Sequence, residues 1–113
     1  MTQSCIHTSV PELMMKHEPV LARDVAGGQP TIANTGMKSV GGYKVGIWEM
    51  TPGSVNYIEE DELIVVLSGL GELVVHDEKQ TIPIGPGSLL HMRKGQRTTW
   101  RIIETLRKVY ITA

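Results

Sequence analysis

The sequence has no phenylalanine and only 4% aromatic residues, so the core it builds must be aliphatic. A single cysteine, Cys5, rules out an intrachain disulfide and leaves no cysteine-based metal site. A reducing, cytoplasmic location is therefore expected. No apolar run approaches the roughly 20 residues of a membrane-spanning helix. The opening MTQSCIHTS lacks the basic flank and apolar stretch of a secretory signal. An excess of either charge is missing too: 11 Lys and Arg stand against 12 Asp and Glu. That balance supplies no basic footprint for nucleic acid, so neither nucleic acid nor membrane is expected as a partner.

What is abundant is turn chemistry. Twelve Gly and six Pro divide 113 residues, a length that supports one core and not two. From Tyr43 onward, KVGIWEM, LIVVLSG, ELVVH, QTIPI, SLLHM, TWRII and RKVYI are short, apolar or β-branched runs. They are separated by Thr51-Pro-Gly-Ser54, Ser68-Gly-Leu-Gly71, Asp77-Glu-Lys79, Gly85-Pro-Gly87 and Lys94-Gly-Gln96. Short strands at this spacing predict an all-β antiparallel sandwich or barrel. Ahead of them, residues 1–40 read as a mobile tip and then extended or irregular chain, with a helical turn near Pro11 to Met15. The division expected is a flexible or loosely packed leader over residues 1–23 and a single domain over 24–113.

The run Leu63-Ile-Val-Val-Leu67 does not alternate, so both faces of its strand need cover. One face looks into the barrel. The other must meet residues 20–40 of the same chain or a second copy, which makes a homodimer one expectation.

Two stretches resemble the paired motifs of the cupin superfamily. Gly53, Glu62 and Gly69 fall on the Gly, Glu and Gly of the first motif, and Gly87, Gly95 and Thr98 on the Gly, Gly and His of the second. Ser88 and Arg93 depart from the Asp and Pro usual there. The chain is most similar to the subfamily named after the (S)-ureidoglycine aminohydrolase cupin domain. That likeness runs through Asp24-Val-Ala-Gly-Gly-Gln-Pro30, Gly46-Ile-Trp-Glu49, Thr51-Pro-Gly53, Tyr57, Glu62, Gly85-Pro-Gly87, Gly95, Thr99-Trp100 and Arg107-Lys-Val-Tyr110. It implies a double-stranded β-helix, or jelly roll, with an extended N-terminal segment and a pocket in the barrel mouth.

Members with a metal hold it through three His and one Glu, a donor set suited to divalent first-row ions. Here Asn56 and Ile58, or Val55 and Tyr57 under the other spacing, stand at the first two histidines, and Thr98 at the third. No metal ligand set and no cofactor are expected. His76, at a hairpin turn, reads as an exposed residue, and His7 and His17 as solvated leader residues. His91, on SLLHM, is a candidate for the pocket wall. The run Glu59-Glu-Asp-Glu62 offers oxygens for a hard cation, against which stands the reading as a solvated turn, and at most about half of it can face one site.

The resemblance implies that Glu62 points inward, with Ile64 and Val66 on its face. Lys108 and Tyr110 share a face of the last strand, which makes Lys108 the candidate cation for a buried Glu62. The catalytic candidates are therefore Glu62 and Lys108, and the ligand-binding candidates Trp48, Tyr57, Thr98, Trp100, Tyr110 and His91. Trp48 and Trp100 can serve as pocket wall or as barrel filling. Glu49 points outward or forms a second buried carboxylate, and Arg97 and Arg101 offer rim charge. Three functions stay open. One is a protein that binds a small polar or anionic molecule without a metal. Another is an enzyme of the ureidoglycine aminohydrolase type, with Glu62 as acid, base or remnant metal ligand. The last is a non-catalytic regulatory or oligomerisation module.

Overall fold

The computed structural model describes Cys5, residues 7–37 and residues 39–113. Nine strands form one curled antiparallel sheet: β1 (Glu18–Pro19), β2 (Val25–Gly27), β3 (Thr31–Gly36), β4 (Lys44–Met50), β5 (Gly53–Ile58), β6 (Glu62–Val75), β7 (Gln80–Ile84), β8 (Leu89–Met92) and β9 (Arg97–Thr112). The all-β jelly-roll expectation holds. Two long strands, β6 and β9, pair along their whole length and form the spine. The other edge of β9 carries β4 on its second half and β5 on its first. The other edge of β6 carries β8 and then β7. Beyond β4 lie β3 and β1, and beyond β5 lies β2.

One expected turn is absent because the strand runs through it. Ser68-Gly-Leu-Gly71 lies inside β6, where the pairing with β9 shifts register three times between Val66 and Gly71. Such bulges absorb extra residues and bend a strand without ending it. Gly69 makes the bend feasible: its φ is +93°, and a Cβ there would collide with the backbone of Thr105 and Leu106 on β9. LIVVLSG and ELVVH are thus one strand, as are TWRII and RKVYI. Strands β1, β2, β3 and β5 arise where no discrete strand was predicted, and a 3-10 turn at Val10–Glu12 stands near the expected helical turn.

The inward side chains close an aliphatic core around Met50, Val55, Ile64, Val66, Leu73 and Leu106, with both tryptophans in it. On the outer face, residues of the predicted leader are fastened to the sheet. Glu49 on β4 accepts from Arg107 Nε at 2.7 Å and pairs with His17 Nε2 at 2.7 Å. The other ring nitrogen of His17 meets the Thr31 hydroxyl at 2.9 Å, and Arg107 donates from NH1 to the Val10 carbonyl at 2.6 Å. His17 is therefore not solvated, because Glu49 and Thr31 take both of its nitrogens. Glu49 does face outward, but into an ion pair and not into water. The tip of the leader, residues 1–4 and 6, lies outside the described residues.

The outer face of β6 is left open. Leu63 and Val65 are 45% and 39% exposed, and their neighbours Leu89 and Ile111 are exposed beside them, so residues 20–40 do not cover this strand.

Burial alone would raise the Glu49 carboxyl, but the hydrogen bonds and charges of Arg107 and His17 outweigh it and hold the group below its usual value. A lowered carboxyl adds stability that is complete above its unfolded pKa and is lost as pH falls through the folded one. Urea unfolding midpoints should therefore decline on acidification below about pH 5. Glu49→Gln is expected to flatten that decline, and an unchanged acid limb in the variant would remove Glu49 from its cause.

Candidate functional site

At the open end of the curl, the inner faces of β3, β4, β5, β6 and β9 enclose a small chamber. It is lined by Asn34, Trp48, Tyr57, Glu59, Glu62, Trp100, Lys108 and Tyr110. Its cavity volume is about 60 Å³. One ordered water takes up about 10–15 Å³ of such a cavity, so the chamber suits a handful of non-hydrogen atoms. Asn34 and Tyr57 also line a wider vestibule of about 540 Å³, floored by Val20, Ile32 and Val55 and edged by Lys16, Glu18 and Asp24.

Lys108 occupies the centre. Its residue is 5% exposed, and its Nζ lies 4.3 Å from the Trp48 ring centroid and 4.1 Å from that of Trp100. The two indoles stand 5.6 Å apart with their planes tilted by 52°, so both present electron-rich faces to one ammonium. Strand register explains the meeting: Trp48 on β4 is directly opposite Lys108 on β9. Glu62 Oε1 is 3.7 Å from Nζ, an ion pair stretched beyond hydrogen-bond length. Burial lowers the Lys108 pKa, and the neighbouring Glu62 and Glu59 oppose that shift without cancelling it. Burial likewise raises the Glu62 carboxyl against the pull of Lys108. Both groups are thus biased toward their neutral forms.

Glu59 is 2% exposed, and its Oε2 accepts from the Thr98 hydroxyl at 2.6 Å and from Trp100 Nε1 at 2.9 Å. The acidic run is therefore not a solvated turn throughout. Glu59 ends the chain out of β5 and Glu62 begins β6, so the first and last members reach the chamber while Glu60 and Asp61 face water. The signal that could have marked Glu59 is indirect: an inward Trp100 and Thr98 need a buried acceptor. At the mouth, Tyr110 donates to Asn34 Oδ1 at 2.6 Å. Its ring crosses β4 at Gly46, where a Cβ would collide with the phenol. Burial and the nearby carboxylates raise the Tyr57 phenol, which keeps its proton.

Of the residues expected at the site, Glu62, Lys108, Trp48, Tyr57, Trp100 and Tyr110 converge on the chamber. Both tryptophans are core and wall at once. Thr98 does not line the chamber but holds Glu59 in place. His91 does not reach it: Leu90 and Met92 take the inward positions of β8, so His91 points outward beside Leu63. Arg97 and Arg101 pair with Asp77 and Glu72 on the outer surface, and the exposed His76 meets the Thr99 hydroxyl at 2.7 Å.

A histidine-type cupin metal does not fit these residues. Asn56 accepts from Thr99 on the outer face, Ile58 is 70% exposed, Val55 is core and Thr98 is spent on Glu59. No group of three His, Cys, Asp or Glu side chains converges as ligands among the described residues. The one motif ligand left, Glu62, faces an ammonium.

Solved structures share the architecture. The EutQ protein of Clostridium difficile aligns over 94% of this chain and 84% of its own at a TM-score of 0.70 and 14% identity. Ectoine synthase from P. lautus aligns over 95% and 76% at 0.67 and 16% identity. The polyketide cyclase RemF of Streptomyces resistomycificus aligns over 97% and 78% at 0.63 and 21% identity. At such identities the likeness is one of fold. No curated protein matches the chain. The profile of the EutQ-like cupin domain matches residues 38–110, which span β4 to nearly the end of β9 and most of the chamber. The chain is a member of the EutQ-like cupin family.

Proposed function

We propose that this cupin binds a small polar molecule in the barrel mouth without a histidine-held metal. The supporting observation is Lys108, which sits between two indoles and beside Glu62, the one ligand residue of the cupin motif that this chain keeps. Two acidic side chains, Glu59 and Glu62, and one amine, Lys108, line the chamber together. An anionic ligand would have to face Glu59 and Glu62, so the arrangement favours a molecule with N–H or O–H donors for the carboxylates and an acceptor for Lys108. The vestibule leaves room for a larger substituent.

A second reading, catalysis with Glu62 as acid or base, draws support from the opposed biases of Glu62, raised by burial, and Lys108, lowered by burial, which stand side by side. The reaction of ureidoglycine aminohydrolase-type cupins is one form of it. We further propose that a second copy of the chain covers Leu63, Val65, Leu89 and Ile111. The support is a row of exposed apolar side chains on one sheet face, the kind of patch that an isologous contact about a two-fold axis buries.

Elemental analysis of untagged protein should find manganese, iron, nickel and zinc far below one equivalent per chain; near-stoichiometric metal would defeat the metal-free reading. In a thermal-shift screen of small amides, ureides, amines and carboxylates, the neutral donors are expected to stabilise the wild type more than the carboxylates do. Those shifts should vanish in Glu62→Gln and Lys108→Met. Each single variant also leaves a buried partner unpaired and should lower stability by roughly 1–3 kcal/mol, whereas the double variant loses less than the sum. Additive losses would mean that Glu62 and Lys108 are not coupled. Val65→Lys should reduce the mass seen by light scattering to that of the monomer, and a monomeric wild type would end the dimer proposal.

A further inference from the structure

Lys108 has one feature that noncovalent binding does not use. Lys108 lines the chamber, its one ion-pair partner among the described residues stands 3.7 Å from Nζ, and Nζ lies over the two indole faces. A lysine enclosed by aromatic walls with a carboxylate in reach has the surroundings of an amine nucleophile. We propose that Lys108 forms an imine with a small aldehyde or ketone held in the chamber. This rests on the chamber being the ligand site.

The chemistry balances with the groups present. Glu62 accepts a proton from the ammonium, and the freed nitrogen lone pair attacks the carbonyl carbon. As the C–N bond forms, the C=O π pair moves to oxygen. A proton passes from the nitrogen to that oxygen by way of Glu62, giving a neutral carbinolamine. Glu62 then protonates the hydroxyl, the C–O bond breaks, water leaves and the nitrogen lone pair closes the C=N bond. The sum is carbonyl plus ammonium giving protonated imine plus water, with no oxidant or reductant consumed. Burial supports the first step, since it lowers the Lys108 pKa and raises that of Glu62. The product cation sits between the same two indoles and opposite the same carboxylates that hold the ammonium.

Space selects the substrate class. About 60 Å³ admits a carbonyl and one or two attached carbons, while any longer substituent must pass Tyr57 and Asn34 into the vestibule. Its floor of Val20, Ile32 and Val55 suits an apolar tail. A short aliphatic aldehyde or methyl ketone meets both conditions.

The test is reductive trapping. The folded protein is incubated with propionaldehyde and cyanoborohydride near neutral pH, and each lysine is followed by peptide mass mapping. Lys108 should gain a propyl group faster than the exposed Lys44 and Lys94 in the same sample. Glu62→Gln should slow labelling at Lys108 and leave Lys44 unchanged. Labelling of Lys108 no faster than of Lys44 within the same wild-type sample overturns the proposal, whatever the variants do. Acetamide, which forms no imine, separates the two readings: if it stabilises the wild type but not Lys108→Arg while Lys108 takes no label, the imine fails and the binding site stands.

Discussion

An ammonium group cut off from water needs negative charge or polarisable faces around it, and the interior of this barrel is arranged to give Lys108 both. Its demand accounts for features that otherwise look unrelated. Two tryptophans supply bulk in a chain without phenylalanine, but they are also tilted so that both rings face one nitrogen. Glu59 is buried where a carboxylate would be prohibitive on its own, and it is tolerated because Thr98 and Trp100 donate to it and Lys108 lies across the chamber.

The same register that places Lys108 inside places Arg107 outside. Successive residues of β9 face opposite ways, and their partners on β4 do likewise: Lys108 stands opposite Trp48, and Arg107 opposite Glu49. One cation serves the chamber, and the next ties the N-terminal segment to the outer face through Glu49 and the Val10 carbonyl. A slip of one residue between β4 and β9 would undo both arrangements together, so the two charge clusters fix one alignment.

Much of this was legible in the residues. Turn chemistry and strand period pointed to the barrel, and alternation along LRKVYI put Lys108 and Tyr110 on one face with Glu62 as their counterpart. What stayed hidden depended on partners distant in sequence. Glu59 looked like a solvated turn because nothing local distinguishes it from Glu60; only the inward Trp100 and Thr98 give it a reason to be buried. His17 looked solvated because its partners lie on β3 and β4. Gly69 looked like a turn because a glycine that lets two backbones approach and one that reverses a chain read alike in one dimension. His91 was placed inward by proximity to a motif, when the alternation of Leu90 and Met92 already assigned it outward.

The double duty of β9 has a consequence for how the protein is made. Strands β4, β5 and β6 all leave the ribosome before Arg97–Thr112, yet each has β9 as its neighbour on one edge. Until that segment emerges, one edge of each of these strands and the inner face of Trp48 have nothing to pair with. The pairs β3–β4, β6–β7 and β6–β8 need no part of β9, so what waits for that segment is the closure of the barrel, which brings the lysine to its cage and its counter-charges.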